Sequence, residues 1–200
     1  FFFKQKTAYE IVDCDWSSDV CSSDLSAFES WFEPDASRSW DLLVSYYRSS
    51  PKNGMDAEFV SVGGLSKFSA LKNIADENPE ICSRYDYIWC IDDDLRIAHA
   101  DVDRLFDVMR AYGLSLAQPA LSPGSHHSWP LLVAQPGVGF RLTNFVEIMM
   151  PAFSQIAFQL CKPSFDASVS GFGLGELWSN LISRRGMRLA VIDAVAVEHT

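Results

Sequence analysis

Tyr85-Asp86-Tyr87-Ile88-Trp89-Cys90-Ile91-Asp92-Asp93-Asp94-Leu95 decides how this 200-residue chain is read. An apolar run rich in aromatic and β-branched residues stops at three consecutive carboxylates. Residues 85–91 have the length and composition of a buried strand, so Asp92, Asp93 and Asp94 fall where that strand leaves its sheet. Open α/β sheets bind their ligands at that end. Adjacent carboxylates repel, so three together need a cation, hydrogen-bond donors or water around them. Oxygen-rich sites of this kind suit Mg²⁺ or Mn²⁺, held by one or two carboxylates and completed by phosphate oxygens. The expectation is a metal-bridged diphosphate site. The plain alternative is a solvated acidic turn that caps the next helix.

On either side of this stretch the pattern alternates. Residues 41–47 and 58–62 read as strands, and Gly63-Gly64 turns the second toward a helix capped by Ser66, with Phe68, Leu71, Lys72 and Ile74 on its face. Asn78-Pro79 ends that helix. Downstream, residues 101–112 put Val102, Leu105, Phe106, Val108 and Met109 at helical spacing, Gly113 stops them, and residues 114–120 form another apolar strand. Strand, helix, strand, helix, strand predicts an α/β domain with a mainly parallel, Rossmann-like sheet and flanking helices.

Residues 1–25 do not fit this pattern. Residues 4–11 resemble the translation of a flow-cell sequencing adapter, and residues 15–25 resemble the translated index-read primer, with a barcode-sized gap between them. Three Phe followed by Lys-Gln-Lys is neither the basic start nor the apolar middle of a secretory signal. Residues 1–25 are therefore expected to be an artefact outside the fold, and residues 26–200 a single domain, truncated at both ends.

The whole chain carries a net charge of -10; setting aside residues 1–25, with two lysines and five carboxylates, leaves -7. An acidic chain is a poor candidate for nucleic-acid binding, which relies on Lys and Arg against phosphates. The remaining length, about 175 residues, suits one domain with a sizeable core. Cys82, Cys90 and Cys161 are odd in number and lack metal spacing, so they read as reduced thiols. No apolar run reaches the roughly 18 residues that span a bilayer. A cytoplasmic protein follows, with peripheral membrane association left open.

Further segments carry chemistry. Residues 121–139 form a long loop rich in Pro, Gly, Ser and His, the sort that shapes binding sites, and hold His126, His127 and Trp129. Histidines there meet an acceptor or a metal, or are ordinary surface residues. Asn144 and Glu147 have capping-box spacing for a helix over residues 141–150, which competes with a catalytic role for Glu147. Pro151 breaks or restarts that helix. Residues 170–178, Ser-Gly-Phe-Gly-Leu-Gly-Glu-Leu-Trp, let the backbone pass close to a ligand and deliver Glu176 at the start of a helix. Glu176 there is either a general base or a complement to the helix dipole. A last strand over residues 187–193 leads to Glu198-His199, where His199 is placed to offer a nitrogen to the same cation.

Together these segments resemble a GT-A-type glycosyltransferase. More closely, residues 85–95, residues 143–153 (Thr-Asn-Phe-Val-Glu-Ile-Met-Met-Pro-Ala-Phe) and residues 170–178 resemble the domain-of-unknown-function family numbered 707, itself similar to GT-A enzymes. The resemblance runs from about Asp41 to His199. It implies transfer of a sugar from a nucleotide-sugar donor to a glycan or other hydroxyl acceptor, assisted by Mn²⁺ or Mg²⁺. Donor-binding candidates are Asp92, Asp93 and Lys67; metal candidates are Asp94 and His199; catalytic candidates are Glu176 and Glu147; His126, His127 and Trp129 belong to an acceptor loop. Glu176 is similar to the base of inverting galactosyltransferases, although Gly175 stands where the pattern leads one to expect Asp.

Two other classes compete. A strand ending in Asp-x-Asp also opens haloacid-dehalogenase-type phosphatases, with Asp92 as nucleophile and Asp94 as acid/base, but Leu95-Arg96 replaces the usual Gly-Thr. A non-catalytic carbohydrate-binding domain would bind without turnover. A calcium loop of the EF-hand type fails on its Gly and Glu spacing.

Overall fold

A computed structural model describes residues 2–4, 10–13, 31, 38–46, 57–63 and 66–200. In chain order its strands are β1 (Phe2–Lys4), β2 (Glu10–Asp13), β3 (Asp41–Tyr46), β4 (Phe59–Val62), β5 (Tyr87–Asp92), β6 (Leu95–Arg96), β7 (Leu114–Leu121), β8 (Arg141–Leu142), β9 (Ala152–Ser154) and β10 (Arg188–His199). The α-helices are α1 (Lys67–Glu77), α2 (Pro79–Ser83), α3 (His99–Tyr112), α4 (Gln155–Cys161) and α5 (Leu174–Ser183).

The predicted strand at the centre of the sequence is also central in space. β5 has β2 parallel on one side and β9 antiparallel on the other, and beyond β9 come β7 and then β10, parallel to each other. β4 and β3 extend the sheet past β2 in parallel. Because β9 runs against both β5 and β7, the strands β5, β7 and β10 all point the same way. Their C-terminal ends therefore meet at one edge. β6 then pairs antiparallel with the end of β10, placing Leu95 opposite His199 and Arg96 opposite Glu198. That pairing brings the residues after the Asp triplet to the chain's last histidine.

Residue alternation on the strands fills both faces of the sheet. Trp89, fully buried on one face, meets Phe106 of α3 edge to face at 6.4 Å. Phe153, paired with Ile88 on the other face, packs against Phe158, Phe165 and Trp178. Phe68 of α1 closes that aromatic cluster, 4.7 Å from Trp178. The α1 start follows the sequence signal: Ser66 caps it, its side chain and that of Ser69 exchanging bonds with each other's backbone. Gly113 ends α3 in a left-handed conformation, φ 58°.

Three expectations differ. Residues 141–150 are not a helix: only the two-residue β8 forms, and an irregular segment follows. Its backbone donors find partners elsewhere. The N–H of Phe145 bonds Thr143 Oγ1 at 3.2 Å, that of Val146 bonds Ser179 Oγ at 3.3 Å, and that of Glu147 bonds Gln118 Oε1 at 2.7 Å. Side-chain acceptors, one local and two from β7 and α5, thus take the N–H groups that a helix would pair with i−4 carbonyls. Residues 152–154 form β9 before α4 begins, and β10 continues to His199, past the predicted end at residue 193. Within residues 1–25, β1 and β2 share the slot between β3 and β5, β1 antiparallel to both and β2 parallel to both. Ladder bonds are made by main chain, so pairing there reports the demand of the slot for a strand rather than the origin of these residues.

Candidate functional site

Lys67, the first residue of α1, points its ammonium at the C-terminal end of β5. It pairs with the Asp92 carboxylate and donates to the carbonyls of Ile148 and Met149 at 2.8 and 2.9 Å. Three acceptors match the three protons of an ammonium. Lys67 is 8% exposed, and the Asp92 side chain retains 34% exposure, open toward the sheet edge. Burial pushes the Asp92 carboxyl up from its ordinary range; Lys67 opposes that shift, Asp94 reinforces it and His199 opposes it. Lys67, expected at the donor, is thus first an internal counter-ion that ties α1, β5 and the segment before β9 together.

Asp94 lies one turn further out. Its Oδ2 is 3.2 Å from His199 Nε2, and its backbone carbonyl accepts from the Thr200 N–H at 3.1 Å and the Thr200 hydroxyl at 2.9 Å. His199 Nδ1 faces the His126 carbonyl at 3.0 Å, which fixes the proton on Nδ1 because a carbonyl only accepts. Nε2 is therefore the nitrogen presented to Asp94. His199 N–H also donates to Ser125 Oγ at 3.2 Å, and the His126 ring stands edge-on to His199 at 5.5 Å. Asp93 occupies the turn between β5 and β6.

Glu147 approaches the same place from the segment after β8. Its carboxyl is pushed up by burial; the charges it feels are those of His199, Asp92 and Lys67. Its Oε2 is buried without a hydrogen-bond partner. The sequence therefore brings together Lys67, Asp92, Asp94, Glu147 and His199, with His126 behind His199. It does not bring Glu176 into hydrogen-bond contact with them. Glu176 is exposed in the first turn of α5, and its carbonyl accepts from Asn180 at 2.8 Å. His127 turns to the Ser125 carbonyl of its own loop at 2.9 Å, and Trp129 packs edge-on to Phe145 at 5.5 Å.

The glycine-rich turn acts through packing. A Cβ on Gly175 would lie 2.5 Å from the Val146 carbonyl oxygen, and one on Gly171, at φ 73°, would lie 2.7 Å from Ile148 Cδ1. The start of α5 thus presses against the Val146 carbonyl on one side of Glu147, and the turn before it against the Ile148 side chain on the other. This explains why Gly175 departs from the acidic residue expected there. Gln118, Ser125 and Thr200 escaped the sequence reading. Of these only Gln118, a fully buried amide inside an apolar strand, carried a signal.

Among the described residues no group of three or more His, Cys, Asp or Glu side chains is arranged to hold a metal ion. Asp94 and His199 form a pair, one carboxylate oxygen and one imidazole nitrogen. Such a donor set fits Mn²⁺ or Mg²⁺ when diphosphate oxygens and water supply the remaining positions. Also among the described residues, no helix is long and apolar enough to cross a membrane.

Residues 66–139 match the family model of DUF707, a protein of unknown function. The DUF707 match contains Lys67, the Asp triplet, His126, His127 and Trp129, while Glu147, Glu176 and His199 lie beyond it. No curated protein matches the chain. In three dimensions the chain is similar to the crystal structure of GalNAc-T7 with UDP, GalNAc and Mn²⁺, with a TM-score of 0.65 at 11% identity over 99% of this chain and 44% of that one. It is also similar to S. aureus TarS 1-349 in complex with UDP-GlcNAc, with a TM-score of 0.61 at 9% identity over 96% of this chain and 57% of that one. The fold is the GT-A fold, a mostly parallel sheet flanked by helices. The chain spans about half the length of these two structures.

Proposed function

We propose that this protein is a metal-dependent glycosyltransferase that moves a sugar from a nucleotide-sugar donor to a hydroxyl acceptor, a glycan or another alcohol. The observation that carries the reading is the Asp94–His199 pair, 3.2 Å apart at the C-terminal edge of a GT-A sheet, beside a carboxylate already neutralised by Lys67. Asp94 and His199 would hold Mn²⁺ or Mg²⁺, which supplies charge stabilisation to the departing diphosphate. Asp92 and Asp93 face the donor's ribose and sugar. Lys67 orients Asp92 and opposes the rise in proton affinity that burial gives it. Loop residues His126, His127 and Trp129 border the acceptor side. The buried free thiols Cys82, Cys90 and Cys161 fit a reducing compartment, and a cytoplasmic location is part of this proposal. The phosphatase alternative needs an Asp92 free to attack, and the Lys67 ammonium holds that carboxylate.

A thermal-shift panel tests the reading. UDP-, GDP- and CMP-sugars are added to the full chain with Mn²⁺ or with EDTA. Stabilisation by one nucleotide class only when metal is present, lost in Asp94→Ala, is the expected result. A folded protein that shifts with none of them would overturn it.

A further inference from the structure

Resting on the glycosyl-transfer reading, we propose that Glu147 is the catalytic base that takes the acceptor proton, and that Glu176 is not. Glu147 Oε2 is the one carboxylate oxygen among the described residues that is buried without a hydrogen-bond partner. The backbone around it is fixed by bonds that leave the carboxylate unused. Its own N–H goes to Gln118 Oε1 at 2.7 Å, the Val146 N–H goes to Ser179, and the Ile148 and Met149 carbonyls accept from Lys67. Gly175 lets the start of α5 close over the Val146 carbonyl, and Gly171 lets the turn before it close over the Ile148 side chain. Lys67 is the ammonium nearest to hand for Glu147, and it is bonded to Asp92 and the two carbonyls instead.

A buried carboxylate oxygen without a partner, on a hydrogen-bonded backbone and within electrostatic reach of Asp92 and His199, suits proton abstraction at this edge. Desolvation raises its proton affinity in the same direction. Glu176 has the opposite features: an exposed side chain in the first turn of α5, where the helix dipole accounts for a carboxylate. In the step, the acceptor oxygen forms its bond to the sugar anomeric carbon as the bond from that carbon to the diphosphate oxygen breaks. The electron pair leaves with the diphosphate, and the hydroxyl proton passes to Glu147.

The test measures UDP release from UDP-GlcNAc and UDP-GalNAc with Mn²⁺ and water as acceptor, using the full chain, E147Q and E176Q, alongside calorimetric donor binding. E147Q should bind donor within about threefold of wild type and release UDP at least ~100-fold more slowly, while E176Q keeps its rate within about threefold. If E147Q does not fold, E147A with added sodium formate replaces it, and formate should restore release. Full activity in E147Q, loss confined to E176Q, or no formate rescue would overturn the assignment. So would a wild type that binds donor and releases no UDP. A wild type that binds neither nucleotide sugar defeats the glycosyltransferase reading itself, and the assignment with it.

Discussion

Asp41 shows how a single side chain sets a pH dependence far from the site. At the start of β3 its carboxyl accepts from Tyr85 Oη at 2.9 Å, and burial together with Glu58 pushes its pKa up to about 6 against the pull of Arg38. A carboxyl held above its unfolded value of 3.8 binds its proton more tightly when folded. Its contribution is present below pH 4 and is lost as the pH rises through about 6. Asp41→Asn keeps an acceptor for Tyr85 and, discounted for solvent screening of this partly exposed carboxyl, should gain roughly 1 kcal/mol at pH 7, with no gain at pH 4, as read by urea unfolding at the two values. Equal effects at both values would contradict this. The Asp triplet was legible in sequence because a buried strand ending in charge is rare by chance. Glu147 was legible as a catalytic candidate that a capping box could equally explain; what singles it out is the absence of a partner, and the partners around it come from Gln118, Ser179 and Lys67, up to 80 positions away along the chain.

Among the elements, the start of α5 and the segment before β9 form one unit held by missing side chains. Gly175→Ala would drive a methyl into the Val146 carbonyl, now 2.5 Å from that position. The expected cost is about 1–3 kcal/mol with a lower Tm, and Glu147 displaced from the edge. An unchanged Tm would show that the turn gives way. Lys67→Met removes the counter-ion of Asp92 and leaves two carbonyls without their donor, so it should cost roughly 2 to 3 kcal/mol, moderated by the partial exposure of Asp92. Urea unfolding measures it; a neutral result would mean that water replaces the ammonium. Periodicity revealed α1, α3 and the long strands, and the glycine-rich stretch announced the start of α5. Residues 141–150 were misread, because a capping-box spacing is real in sequence there but the backbone is claimed by neighbouring elements. Local propensity yields to tertiary hydrogen bonding in a segment this short.

For the molecule as a whole, the order of strands does the functional work. β9 reverses direction between β5 and β7, so β5, β7 and β10 end at one edge, and β6 then pairs with the end of β10, so that residues separated by 105 positions, Asp94 and His199, become a pair. Composition and alternation announced the α/β class, but the antiparallel insertion is only three residues long and left no pattern to read. The slot between β3 and β5 is occupied by β1 and β2. A chain beginning at Ser26 lacks both, exposes two buried ladder edges and should unfold at lower temperature and aggregate on heating. An unchanged Tm would mean that residues 1–25 add nothing to the sheet. The most direct measurement of the central claim is a calorimetric titration of UDP-GlcNAc and UDP-GalNAc into the full chain with Mn²⁺ and with EDTA, repeated on Asp94→Ala and His199→Ala. Binding that needs Mn²⁺ and weakens at least tenfold in both variants, with their Tm unchanged, is the predicted result; equal binding in EDTA, or variants that bind like wild type, would contradict it.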